Sequence, residues 1–316
     1  MEKIAELLQK ALANADFKSA FVAADRLEEM QRAFEKLLED GILKREFYDK
    51  IVARLGLYWH FQPQSSIGPV RSVIITAVPQ PKTSLKFEVQ GNKYYAIVPP
   101  TYVYDTDKVA VKIMSPILAA HGYTLHDALL PSKLIAARCG LASYGRNNIT
   151  YIDGWGSYFR LRAYFSDIPC PQDSWQEPAA LDRCSKCTAC IKKCPTSAIS
   201  ADRFLVDAGK CLTFFNEGEE LFPQWIDPAW HNCLVGCMVC QDVCPVNKDH
   251  VAWVMPGGDF SEEETAMILG GVPRERIPAD IGQKLETVGM LEYYELLQRN
   301  LGVLISKAQK TMEKGE

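Results

Sequence analysis

The sequence has no long hydrophobic run and no recognisable targeting segment. Its longest apolar stretches, such as residues 73–78, are far shorter than the roughly 20 residues that a helix needs to cross a bilayer. The first residues predict an amphipathic helix rather than a secretory leader, and no twin-arginine pair stands near the start. We therefore expect a cytoplasmic protein with no membrane partner.

The sequence also has no excess of positive charge. Its 316 residues carry 35 Lys and Arg against 39 Asp and Glu, a formal net charge of −4, so no global basic field attracts nucleic acid. A local basic patch, diluted by aspartates, consists of Arg160, Arg162, Lys186, Lys192 and Lys193. This balance argues mildly against a tRNA substrate. At 47% hydrophobic residues, the chain is long enough for two domains with cores of their own.

Cysteine, by contrast, is abundant, and most of the 11 residues fall in two blocks. The first block, C-x2-C-x2-C-x3-C-P, consists of Cys184, Cys187, Cys190, Cys194 and Pro195. The second, C-x3-C-x2-C-x3-C-P, consists of Cys233, Cys237, Cys240, Cys244 and Pro245. The first spacing is typical of bacterial ferredoxins, in which three thiolates hold one [4Fe-4S] cluster and the fourth reaches another. The sequence therefore predicts two [4Fe-4S] clusters.

Crossing the two blocks as ferredoxins do assigns the ligands. The predicted ligands of cluster one are Cys184, Cys187, Cys190 and Cys244. Cluster two takes Cys194, Cys237, Cys240 and one further cysteine. Cys211 and Cys233 compete for this last place, and local spacing favours Cys233.

Zinc and disulfides are weaker explanations of the cysteines. Zinc ribbons also use C-x2-C pairs, but four-ligand zinc sites explain poorly two triplets that each close with C-x3-C-P. Cytosolic thiols stay reduced, which disfavours disulfides. Cys139 and Cys170 lie outside the ligand spacing, and we expect them to be small buried apolar residues.

Periodicity divides the chain into four predicted segments. Residues 1–60 are expected to be N-terminal helices, with Asp25 capping the second helix and Gly41 ending it. Residues 61–175 are expected to form an α/β domain, residues 176–255 the double-cluster domain, and residues 256–316 C-terminal helices. A capping box of Ser261 and Glu264 opens the helices at the C-terminal end.

Within the α/β segment, residues 73–78 predict a strand buried on both faces and residues 94–98 a weaker strand. Residues 106–120 predict a helix that Pro116 kinks or shortens. A second helix is predicted between Pro131 and Gly140. After a polar turn at residues 144–148, the turn at residues 153–156 and the alternating residues 158–166 predict a hairpin.

The order of several short motifs resembles that of epoxyqueuosine reductase. These motifs are Gly140-Leu141, Tyr144-Gly145-Arg146-Asn147, Gly156-Ser157-Tyr158-Phe159, Ser166-Asp167-Ile168-Pro169, Gly236-Cys237 and Gln241 to Asn247, together with the cysteine blocks. The resemblance covers roughly residues 70–250. It implies a cytoplasmic enzyme that uses cobalamin and two [4Fe-4S] clusters for the last step of queuosine synthesis on tRNA. It also implies the fold class α/β (α+β): a nitroreductase-like corrinoid-binding domain, then a ferredoxin-like domain and C-terminal helices.

The resemblance also implies roles for individual residues. Cys211 stands where the family has the remaining ligand of cluster two, which leaves Cys233 spare. The family has an aspartate that acts as an acid at a fixed distance before the Gly-Leu pair. Counting back from Gly140-Leu141 without gaps places it at His126, and a shift of one residue places it at Asp127. We take Asp127 as the first candidate for the acid and His126 as the second, with helix capping as the alternative for both.

Corrinoid contacts are implied for the two glycine-bearing loops, although ordinary turn chemistry would also explain these residues. The implied contacts are Gly145, Arg146, Asn147, Gly156 and Ser157.

Two motifs depart from the family. Gly-Arg-Asn at residues 145–147 replaces the usual Gly-Lys-Asn and is similar to corrinoid reductive dehalogenases. The family's tyrosine and Asp-Tyr-His motif is reduced to Tyr102, Tyr104 and Asp107, with no histidine.

These observations lead to one main hypothesis and two alternatives. The main hypothesis is a monomeric reductase of epoxyqueuosine in tRNA, in which an external ferredoxin- or flavodoxin-type donor supplies electrons through both clusters to cobalamin. The first alternative is a corrinoid reductase of another substrate, similar to the dehalogenases. The second is a two-cluster electron-transfer protein without catalytic activity.

Overall fold

The chain forms a mixed α/β structure, as its sequence predicts. The computed structural model describes residues 2–55 and 60–313. The strands in these ranges are β1 Lys18–Ala23, β2 Ser72–Pro79, β3 Lys82–Val89, β4 Asn92–Val98, β5 Leu125–Ala128, β6 Ser143–Tyr144, β7 Thr150–Tyr151, β8 Phe159–Ser166 and β9 Val254–Phe260. The α-helices are α1 Glu2–Ala13, α2 Arg26–Glu39, α3 Arg45–Leu55, α4 Asp105–Ala119, α5 Ser132–Arg138, α6 Ala189–Lys193, α7 Leu212–Asn216, α8 Val239–Asp242, α9 Glu262–Leu269, α10 Ala279–Thr287 and α11 Tyr294–Glu313.

Two compact units share these elements. The first unit comprises Met1–Pro79, Thr106–Cys187 and Arg203–Leu205, and the second comprises Gln80–Asp105, Thr188–Asp202 and Val206–Glu316. The chain passes between them several times, and the four-segment division of the sequence stays a prediction. Over the described ranges, no helix is both long and apolar enough to span a membrane.

The first unit is built on an antiparallel sheet in the order β1-β2-β8-β5. Its strand β2 is buried along nearly its whole length, as predicted. Val73 and Ile75 pack into one hydrophobic core, while Ile74 and Val78 pack into the core on the opposite face. This double burial explains why the strand is continuously apolar rather than alternating.

Two predictions in the first unit are wrong. Residues 18–23, expected to be helical, form β1, because they pair with β2 along its length from Lys18 opposite Ala77 to Ala23 opposite Ser72. The segment 158–166 does form a strand, β8, with the predicted alternation, but it does not close a hairpin with the segment before it. Its partners are β2 and β5, and the turn at residues 153–156 is closed by a single bridge between Ile152 and Gly156.

The predicted helix ends are mostly confirmed. Asp25 precedes α2, although its side chain makes no capping bond, and Gly41 follows the helix with φ +65°. Helix α4 continues through Pro116 and ends three residues later. Gly140, with φ +74°, follows α5. Both hydrogen bonds of the predicted capping box at Ser261 are present at the start of α9.

The second unit contains the sheet β4-β3-β9, in which β4 is the predicted weaker strand. Strands β3 and β9 were not predicted; β3 pairs with β4 in an antiparallel hairpin and with β9 in parallel. One core joins this sheet to the C-terminal helices through residues such as Phe87, Phe260 and Leu297. The predicted C-terminal helices are confirmed as α9, α10 and α11, and residues 314–316 lie outside the described residues.

Candidate functional site

Three of the four cysteines assigned to cluster two come together within the second unit. Cys194 directly follows α6, Cys211 precedes α7, and Cys237 lies two residues before α8. Burial raises the pKa of Cys237 to about 11, and the neighbouring Cys211 and Cys194 add to the shift. Burial likewise raises the pKa of Cys211, although hydrogen bonds from Thr213 oppose the shift.

This group of thiols fits an iron-sulfur cluster. Negative charges on neighbouring buried thiolates repel one another. Several thiolates can therefore be held together only by a cationic centre such as iron. The fourth assigned ligand, Cys240, lies on α8 within the same unit. Over the described ranges, no three His, Cys, Asp or Glu side chains converge on a single metal ion. The thiolates of a cubane do not need to converge in this way, since each binds a different iron.

Cys233 has different surroundings from Cys211. Its side chain is 1% exposed, and its thiol donates a hydrogen bond of 3.1 Å to Oδ1 of Asn232. Burial first, and then the neighbouring Cys237, raise its pKa well above the usual value. Cys211 interacts with both Cys194 and Cys237. These surroundings favour Cys211 over Cys233 as the fourth ligand of cluster two. The assignment of Cys211 stays a prediction.

The ligands assigned to cluster one are divided between the units, and their joint binding of a cluster stays a prediction. Cys184 and Cys187 belong to the first unit, whereas Cys190 and Cys244 belong to the second. Cys184 has an unexpected partner. The backbone N–H of Arg146 lies 3.4 Å from its Sγ, and the Arg146 guanidinium donates to its carbonyl oxygen from Nη2 at 2.6 Å and from Nε at 3.2 Å.

Through these bonds Arg146 holds the loop that carries Cys184, and its contact with a corrinoid stays a prediction. The two residues are 38 positions apart in the chain, so sequence reasoning did not find this contact.

The other residues assigned to the corrinoid are enclosed within the first unit. A Cβ on Gly145 would lie 2.5 Å from the ring of Tyr151, so the absence of a side chain permits this close approach. Asn147 is 4% exposed and donates to the hydroxyl of Tyr151 at 2.9 Å. Gly156 has φ +58°, and Ser157 beside it is 6% exposed. Their contact with a corrinoid stays a prediction.

The two candidate acids lie on β5, and neither caps a helix, since Pro131 stands before α5. Asp127 accepts two hydrogen bonds from the guanidinium of Arg162, one of them 2.8 Å long. Beside this pair, Arg160 donates to both carboxylate oxygens of Asp107 at 2.7 and 2.5 Å. The remnant Asp107 of the family motif thus joins a network of charges on one face of β8.

Tyr102 and Tyr104 lie in the second unit. The hydroxyl of Tyr102 donates to Glu217, a residue that sequence reasoning missed, and its ring meets Tyr293 edge-on at 5.5 Å. Gly236, next to Cys237, has φ +73°, and a Cβ there would lie 2.6 Å from the Tyr102 hydroxyl. Tyr102 therefore packs against the loop that carries a ligand of cluster two.

Comparison with known proteins identifies the cysteine region and the fold. Residues 183–247 match the family described as a 4Fe-4S double cluster binding domain. The chain is 28% identical to the epoxyqueuosine reductase of Cyclobacterium marinum over 222 residues, covering 69% of this chain and 64% of the relative. It is 31% identical to the epoxyqueuosine reductase of Pseudomonas aeruginosa over 187 residues, covering 57% and 49% of the two chains.

Solved structures extend the similarity to nearly the whole chain. A selenomethionine-labelled epoxyqueuosine reductase aligns with a TM-score of 0.67 at 19% identity, covering 97% of this chain and 82% of that one. An epoxyqueuosine reductase with an epoxyqueuosine-modified tRNA-Tyr stem loop aligns with a TM-score of 0.63 at 20% identity, over the same shares. The chain therefore carries a double [4Fe-4S] cluster domain within the fold of these reductases, and the resemblance seen in the sequence is confirmed.

Proposed function

We propose that the chain is an iron-sulfur, corrinoid-dependent reductase that converts epoxyqueuosine to queuosine in tRNA. The observation that carries this proposal is the double-cluster domain at residues 183–247 inside a chain whose fold matches epoxyqueuosine reductases over 97% of its length. The chain covers less than two thirds of the length of the curated relatives named above, so their activity supports the proposal without establishing it.

The clusters would carry electrons from an external low-potential donor of the ferredoxin or flavodoxin type. Cluster two would be held by Cys194, Cys211, Cys237 and Cys240, and cluster one by Cys184, Cys187, Cys190 and Cys244. A bound corrinoid supplies a reducible cobalt centre, and the protein's part is to bind and orient it. We assign that binding to the nitroreductase-like half implied by the resemblance, and we propose a cytoplasmic monomer with tRNA as its macromolecular substrate.

Reduction of an epoxide to an alkene also consumes protons, so the site needs a donor. Asp127 remains our first candidate, because its carboxylate stands on β5 with its side chain 61% exposed. Its ion pair with Arg162 must open before it can give a proton to a substrate. His126, the adjacent residue on the strand, is the second candidate.

The test is anaerobic reconstitution of the full chain with iron, sulfide and cobalamin, followed by an assay on tRNA that contains epoxyqueuosine. We expect queuosine to form, and we expect Asp127→Asn to abolish its formation while both cofactors remain bound. Thr311→Val, which changes an exposed threonine near the end of α11, is the matched control and should keep full activity. Bound cobalamin without any queuosine would overturn the assignment of the substrate.

A second candidate is a corrinoid reductase of a different substrate. It is favoured by the net charge of −4 and by Gly-Arg-Asn at residues 145–147. Binding to tRNA phosphates usually requires placed Lys and Arg side chains and weakens steeply as salt rises. Tight cobalamin binding combined with no salt-dependent binding of tRNA would favour this candidate. If no corrinoid absorption appears at all, the chain would be an electron-transfer protein.

A further inference from the structure

Three side chains approach the thiols of cluster two from three separate segments of the second unit. Thr196 lies just after α6, Thr213 is on α7, and Asn232 precedes the loop of Cys237. The hydroxyl of Thr196 lies 3.5 Å from the Sγ of Cys194. Thr213 stands two residues after Cys211, and its side chain opposes the rise in the pKa of the Cys211 thiol, as a donor beside the sulfur does. Each side chain thus reaches a different thiol.

The contact of Asn232 has a defined direction. Its Oδ1 accepts the backbone N–H of Met238 at 2.8 Å, and a backbone N–H can bond only to the oxygen of the amide. The Nδ2 group must then face the Sγ of Cys237, at 3.2 Å, and the carbonyl of Trp230, at 3.0 Å. The amide therefore donates a hydrogen bond to the sulfur.

The two threonines are donors for a similar reason. A thiolate bound to iron carries no proton, so a hydroxyl beside it can only donate. Hydrogen bonds to the sulfurs are among the factors that set the reduction potential of an iron-sulfur cluster. They are stronger in the reduced state, because the additional electron increases the negative charge on the sulfurs, and they therefore favour reduction.

We propose that Thr196, Thr213 and Asn232 hydrogen-bond three thiolates of cluster two and raise its reduction potential. The proposal rests on the ligand assignment in the proposed function. The step concerned is the uptake of one electron from the external low-potential donor, with no bond broken and no proton moved. The three residues act through the cysteines, so they are positioning residues rather than catalytic ones.

The test measures the midpoint potential of cluster two in the reconstituted full chain, by anaerobic titration followed with electron paramagnetic resonance. Thr213→Val and Thr196→Val remove one hydroxyl each while keeping shape and charge. Only the difference in the strength of a charge-assisted hydrogen bond between the oxidised and the reduced cluster shifts the potential. We therefore expect each variant to weaken reduction by up to about tenfold, which is about 59 mV for a one-electron couple.

Two comparisons separate this effect from general damage. Thr213→Ser restores the hydroxyl and should restore the potential. Thr265→Val alters a buried threonine of the same unit whose hydroxyl donates to the carbonyl of Phe260, and it should leave the potential unchanged. Asn232→Leu should lower the potential as well, but it also deprives the Met238 N–H of its acceptor, so the threonine variants decide the question.

Each result has a defined meaning. Unchanged potentials in both valine variants, with intact cluster signals, would overturn the proposal. Loss of cluster two in a valine variant, together with its retention in Thr213→Ser, would support the hydroxyl as a partner of the thiolate. If the wild-type chain itself holds only one cluster, the ligand assignment fails, and this outcome is distinct from the failure of the hydrogen-bonding proposal.

Discussion

Cys211 and Cys233 differ in what surrounds their sulfurs. Cys211 interacts with two other thiols assigned to cluster two, whereas Cys233 is 1% exposed and its thiol donates to the side chain of its neighbour Asn232. The sulfur of a cluster ligand must be able to bind iron, and it must lie close to the sulfurs of the other ligands. Spacing along the chain favours Cys233, but these surroundings favour Cys211.

Substitution by serine distinguishes the two cysteines. We expect Cys211→Ser to lose iron from cluster two and Cys233→Ser to retain both clusters, because Cys211 interacts with both Cys194 and Cys237, whereas Cys233 interacts with Cys237 and donates its proton to Asn232. Iron analysis after anaerobic reconstitution measures the result, with about eight irons per chain expected for the wild type from two [4Fe-4S] clusters. Cys139→Ser is the control outside both blocks. The opposite pattern would return the place to Cys233.

His231 predicts a pH dependence of stability. Burial first, and then the nearby Arg299 and Lys307, lower its pKa from 6.5 to about 4. The unfolded chain therefore binds a proton as pH falls through about 6.5, which the folded chain does not bind until about pH 4. The stabilisation is complete above about pH 6.5. As pH falls from there to about 4, the free energy of unfolding decreases by up to about 3 kcal/mol.

Unfolding measured in denaturant at about pH 7.5 and about pH 5 tests this effect. His231→Gln cannot titrate, so it should show a smaller loss of unfolding free energy between the two conditions than the wild type. His121→Gln replaces an exposed histidine and should behave like the wild type. An identical pH response in all three proteins would show that His231 is not the group responsible.

At the scale of elements, the pair of Arg160 and Asp107 connects β8 to α4. The side chains of Arg160 and Asp107 are 9% and 19% exposed, and the guanidinium makes two hydrogen bonds to the carboxylate. Helix α4 also contributes Met114 and Leu118 to the core on this face of the sheet. An ion pair with so little exposure is sensitive to the loss of one partner, because the other charge remains away from water.

We expect Arg160→Met to lower the free energy of unfolding by about 3 kcal/mol, since Asp107 would keep Arg162, at 3.8 Å, as its one cationic partner among the described residues. Denaturant unfolding of the purified protein measures this change. The matched control is Arg45→Met, which removes a pair with Asp49 whose side chains are 67% and 60% exposed. That pair should contribute well under 1 kcal/mol. Equal effects from both variants would contradict the importance of burial.

At the scale of the whole molecule, we expect the two units to differ in their dependence on iron. Strand β2 of the first unit is held between two hydrophobic cores. The loops around Cys194, Cys211 and Cys237 in the second unit consist of short helices and turns, with helices of only four or five residues. Metal ligation is therefore expected to supply much of their order.

Removal of iron with a chelator should affect these regions unequally. We expect amide hydrogen exchange to rise strongly across residues 188–202 and 206–247, whereas β2 should remain protected. Mass spectrometry of the exchanged full chain, with and without iron, measures the contrast. A uniform rise over both units would mean that the clusters stabilise the whole fold, and no rise around the cysteines would mean that these loops are ordered without metal.

Much of the local structure follows from the sequence because its causes are local. The continuous apolar run at residues 73–78 predicts β2, Ser261 and Glu264 predict the start of α9, and the cysteine spacing predicts the double-cluster domain. In each case the decisive residues lie within a few positions of one another. Such patterns depend on backbone geometry and on ligand reach, which are the same in any fold.

Tertiary structure decided the features that depend on residues far apart in the chain. Residues 18–23 form a strand because β2, about fifty residues away, offers them a free edge, and β9 joins β3 across more than 160 residues. The partners of Arg146 and Asp127 are likewise distant in sequence. Spacing alone favours Cys233, whereas the folded chain brings Cys211 to Cys194 and Cys237. A sequence pattern shows which secondary structures a segment can form. Strand pairing and burial depend on which distant segments pack against it in the folded chain.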